Sequence, residues 1–65
     1  MCLSTVYKNA KTPDAVVMRN VMSLECKDGM VILTDLMDRT CAIEGSLEMA
    51  NLVDGFVIVR EAAAN

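Results

Sequence analysis

Val21-Met22-Ser23-Leu24-Glu25-Cys26-Lys27-Asp28-Gly29-Met30-Val31-Ile32-Leu33-Thr34 decides the fold of this chain. Met22, Leu24 and Cys26 alternate with Val21, Ser23 and Glu25, the two-residue period of a strand, and an apolar run rich in β-branched residues resumes after Asp28-Gly29. Asp-Gly between two such runs is the strongest short-range hairpin signal, because a type I′ turn needs positive φ at both central residues. The stretch predicts an antiparallel hairpin whose arms are residues 21–27 and 30–34.

Working outward, residues 35–39 read as a second turn and 40–44 as a strand returning antiparallel, with Gly45-Ser46 as punctuation. Residues 47–53 are expected to form a strand, because Asp54-Gly55 repeats the hairpin signal before Phe56-Val57-Ile58-Val59-Arg60. On the amino-terminal side, Arg19-Asn20 interrupts or bends a short apolar strand over 15–18. Residues 8–14 form a polar loop around Pro13, and residues 2–7 alternate again, with Leu3, Thr5 and Tyr7 on one face. The expected fold is all-β: a single domain over residues 1–65, built as a small antiparallel barrel or curled sheet of about six short strands. An unpaired edge is the most exposed feature of such a sheet, and a second copy would cover it.

Sixty-five residues bury a small core, while 54% of them are hydrophobic, so apolar surface is left for a partner chain and a homodimer is expected. Six basic residues against nine acidic give a net charge of −3, and the basic ones are scattered, which opposes binding to nucleic acid. No apolar run has the length of a membrane span and no signal-like start is present, so the expected location is the cytoplasm. Three cysteines without C-x-x-C spacing make a poor disulfide framework. Cys26 and Cys41, each set among apolar neighbours, read as small buried hydrophobes.

Catalysis is opposed by the absence of histidine, which removes Ser-His-Asp and Cys-His pairs and the usual near-neutral base. Gly29, Gly45 and Gly55 are accounted for as turn residues, as are Asp28, Asp35, Asp38 and Asp54. The six methionines lack a tight repeat and read as core filler. Cys2 differs. Removal of Met1 by methionine aminopeptidase is expected to leave an amino-terminal cysteine whose amine and thiolate chelate a metal in a five-membered ring. Two copies across a two-fold axis would then supply the N₂S₂ set that suits square-planar Ni(II) or Cu(II). The plain alternative from spacing alone is an ordinary packed or exposed thiol.

Met1-Cys2-Leu3-Ser4-Thr5-Val6-Tyr7, Leu33-Thr34-Asp35-Leu36, Glu44-Gly45 and Leu52-Val53-Asp54 ahead of a final apolar strand, in this order and spacing, resemble the CooT family of small nickel-binding proteins. The resemblance spans nearly the whole chain. It implies an all-β homodimer holding one Ni(II) through Cys2, acting as a nickel metallochaperone or store. The implied partners are a nickel enzyme such as carbon monoxide dehydrogenase or its maturation proteins. The alternative is a small β-barrel adaptor that binds protein or RNA through an exposed sheet edge, with Cys2 incidental.

Overall fold

In the computed structural model, which describes residues 3–63, the 21–34 stretch forms the hairpin that its alternation dictates. Strand β2 (Val16–Lys27) and strand β3 (Met30–Asp35) pair antiparallel from Val21↔Asp35 to Lys27↔Met30. Asp28 and Gly29 hold φ of 53° and 76°, the two positive values that a type I′ turn requires. Strand β4 (Thr40–Asn51) returns against β3, and strand β5 (Phe56–Glu61) returns against β4. Strand β1 (Ser4–Lys8) lies between β2 and β5 and closes the sheet into a five-stranded barrel.

The fold class is the expected one, with fewer and longer strands. Segments 15–18 and 21–27 are parts of one strand, β2, because Asn20 adopts φ 56° and bends the chain without ending the ladder. Before the bend β2 pairs with β1, after it with β3. Segments 40–44 and 47–53 join likewise into β4, whose neighbour changes from β3 to β5 at Gly45. At that position a Cβ would collide with the Arg60 carbonyl, so the bend requires glycine on steric grounds. The closing pair also departs from an all-antiparallel sheet, since β1 runs parallel to β5 from Thr5↔Phe56 to Lys8↔Val59.

Two local readings change. Pro13–Ala15 forms a single 3₁₀ turn, with Pro13 at its start, so β2 begins at Val16. The Asp54-Gly55 pair does not make a two-residue turn. The strand ends at Asn51, and a four-residue loop over 52–55 closes through a Gly55 amide that donates to the Asn51 carbonyl at 2.9 Å.

Inward-facing residues of all five strands make the core: Val6, Val21, Val31, Leu33, Ile43, Val57 and Val59. Their i, i+2 spacing on β3 and β5 is the pleat seen from inside the barrel. Asp35 continues that inward series on β3 and is buried.

Candidate functional site

The register brings one end of the barrel together around the start of β1. Ser4 pairs with Val21, Val21 with Asp35, and Thr5 with Phe56, so this end carries Leu3, the bend of β2, the β3–β4 turn and the β4–β5 turn. Leu3 and Thr5 are anchored there by backbone contacts. The Thr5 amide donates to the Gly55 carbonyl at 2.9 Å, and the Leu3 carbonyl approaches within 3.3 Å of where a Gly55 Cβ would stand. With φ at 76°, Gly55 meets both demands, a left-handed backbone and room for the neighbouring chain.

Each flanking turn is held by one polar side chain and throws two apolar residues outward. In the β4–β5 turn the Asn51 side-chain carbonyl accepts from the amides of Val53 at 3.1 Å and Asp54 at 2.8 Å, and its amide donates to the Asp54 carboxylate at 3.1 Å. Leu52 and Val53 are consequently 74% and 96% exposed. In the β3–β4 turn one Asp35 oxygen accepts from the Met37 and Arg39 amides, each at 2.9 Å, while the other accepts from the Arg39 Nε at 2.8 Å. Leu36 and Met37 are left largely exposed. Met22, just beyond the β2 bend, is a further exposed apolar side chain at this end and lines a shallow cavity of about 100 Å³ with Ser4, Ser23 and Leu24.

Burial alone would push the Asp35 carboxyl up. Hydrogen bonds from the Arg39 amide, the Arg39 guanidinium and the Met37 amide outweigh that, together with the charge of Arg39, and hold it below its ordinary value of 3.8. Asp35 is therefore an ionised strut within the turn.

Cys2, the expected metal ligand, lies outside the described residues; its covalent neighbour Leu3 is the first that the structure describes. Among the described residues no three His, Cys, Asp or Glu side chains converge as a metal set. Cys41 is half-buried and packs against the core, close to expectation. Cys26 is not buried. It shares a face with Val31, but among the described residues only β3 pairs with β2 beyond its bend, and Cys26 is left exposed. It also lies five residues past Val21, about 16 Å along the strand, well away from Leu3. Of the two outward-facing apolar turns, 35–39 is legible in the sequence as a turn, whereas Leu52 and Val53 fall within the strand expected over 47–53. Asn51 three residues ahead of Asp54 is the signal of a side-chain-capped turn that marks 52–55.

No helix among the described residues is long and apolar enough to cross a membrane. No curated protein matches the chain. Residues 1–60 match the family model described as CO dehydrogenase accessory protein CooT. With 60 of its 65 residues within that match, the chain belongs to the CooT family of CO dehydrogenase accessory proteins.

Proposed function

We propose that this protein carries nickel for the maturation of a nickel enzyme of the CO dehydrogenase kind, with Ni(II) as its cargo, held between the Cys2 thiolates of two copies. Membership in an accessory family supports a role in maturation, as opposed to catalysis. The single structural observation behind the reading is the anchored start of β1, flanked by the exposed side chains Met22, Leu36, Met37, Leu52 and Val53. Such a rim suits a partner copy, and two copies meeting there bring their Leu3 residues, and with them their Cys2 residues, toward one axis.

The chemistry of the donors fits the cargo. Thiolate is a strong ligand for a late divalent metal, and a single Cys2 per chain makes the donor set incomplete without a second copy. An ordinary thiol titrates near 8.5, so loading releases protons and tightens as pH rises toward that value. Bringing two thiolates together without a cation is unfavourable, which keeps the unloaded pair protonated. Cys26, exposed at the far end of the hairpin, takes no part in this scheme.

The experiment is a Ni(II) titration followed by thiolate-to-metal charge-transfer absorption, with chain mass and Met1 removal read by native mass spectrometry. Wild type and Cys26→Ser should bind one ion per pair of chains, and Cys2→Ser should bind none. Unchanged binding in Cys2→Ser would refute the reading, and would return Cys2 to the incidental status it has in the adaptor alternative.

A further inference from the structure

Closure of the barrel does not pair every strand edge. Before its bend, β2 has β1 on one side, whereas β3 ends at Asp35 opposite Val21. The last link across that gap is the Leu36 amide, which donates to the Asn20 carbonyl at 2.9 Å. Among the described residues, 17–19 therefore have no strand partner on their outer edge, and an open cleft of about 560 Å³ lies there, lined by Val17, Met18, Arg19, Asn20, Asp35, Arg39 and Thr40.

The cleft differs from the rest of the molecule in charge. The chain as a whole carries −3, yet here Arg19 and Arg39 stand against one carboxylate, Asp35, which is buried and already bonded to the Arg39 Nε. Asp35 thereby fixes the Arg39 guanidinium by one corner. Among the described residues Arg19 has no ion pair. Val17 and Met18, half-buried against the core, add apolar wall between the two cations. Asn20 holds a left-handed backbone beside them, a conformation uncommon for a residue with a side chain.

We propose that this cleft docks an extended acidic peptide segment of a partner protein, which pairs its backbone with the free edge of β2 at residues 17–19 and sets a carboxylate between Arg19 and Arg39. The free edge favours a polypeptide, because main-chain hydrogen bonding to an unpaired strand is a source of affinity that a small anion cannot use. Arginine offers planar, two-pronged donation to a carboxylate, and a fixed guanidinium loses little freedom on binding it. Two cations on an acidic protein are too few to hold a nucleic-acid backbone. The proposal is independent of Cys2 and of the metal.

The test is selection of short random peptides displayed against the purified protein, followed by titration of the enriched peptides by ¹H–¹⁵N chemical shifts. Acidic sequences flanked by β-branched residues should be enriched, and their shifts should centre on residues 17–20 and 35–40. Arg19→Glu, which removes no described internal bond, should weaken them at least tenfold, and a peptide with Lys in place of its Glu should recover that loss. Arg39→Gln should weaken them similarly. Cys2→Ser should leave the affinity unchanged, which separates this site from the nickel reading. The proposal is overturned if no acidic peptides are enriched, if Arg19→Glu binds them as well as wild type, or if free glutarate or a single-stranded oligonucleotide fills the cleft as tightly as the peptide.

Discussion

The carboxylate of Asp35 is 2% exposed and accepts three hydrogen bonds from the turn that follows it. Its folded-state pKa is held below 3.8, so the stability it contributes is fully present above that ordinary value and is lost as pH falls through the folded one. Asp35→Asn should destabilise the protein at neutral pH, and the gap to wild type should close in acid. Thermal melts from neutral pH down to about pH 2 check this; a gap of constant size would remove the charge from the explanation. The turn itself was legible as Asp35 ahead of a break in the strand pattern. Its burial was not, because that depends on β2 bending at Asn20, far away in the chain, to close over the same end. Cys26 fails in the opposite sense, since its local alternation is that of a buried residue and only the barrel's closure reveals that it is exposed.

At the scale of elements, two glycines that look alike in sequence do different things. Gly29 sits in the β2–β3 turn with φ 76° and open space around it, so Gly29→Ala should cost only the left-handed backbone penalty of about 1–2 kcal/mol. Gly45 lies where β4 changes neighbours, and a Cβ there meets the Arg60 carbonyl and lies 3.0 Å from the Glu61 Cα, backbone that cannot swing aside. Gly45→Ala should therefore destabilise well beyond Gly29→Ala, and urea titration of the two variants checks the order. Equal losses would mean that β4 tolerates a different bend. Both glycines read as punctuation in the sequence, and the difference between ending a strand and redirecting one lies in the long-range contact with β5. The same ambiguity made two bent strands look like four short ones.

For the whole molecule the margin is narrow. At roughly 0.05–0.15 kcal/mol per residue, a chain of 65 residues is stable by about 3–10 kcal/mol, and truncating a fully buried leucine costs about 2–5. Leu33→Ala should thus remove much of the fold's stability, seen as a denaturant midpoint at or below half that of wild type. A shift of only a few per cent would imply a core more adaptable than seven small residues suggest. All-β class and hairpin order were legible because alternation and Asp-Gly turns are local signals. The closing of the ring was not, since no local pattern announces that the first strand and the last will lie side by side.

That parallel pairing has a consequence in time. Val6 is synthesised 51 residues before its partner Val57, so at about 5–20 residues per second the first strand waits roughly 3–10 s for the strand that seals it. The β2–β3 and β3–β4 hairpins can form meanwhile, from contacts close in the chain, but β1 keeps an open flank until β5 arrives. Completion of the ring is thus the slow, non-local step of folding. Nascent chains cut short before Phe56 would display β1 and the far half of β4 as adhesive strands, so translational pausing late in the message would be the moment of greatest risk of clumping.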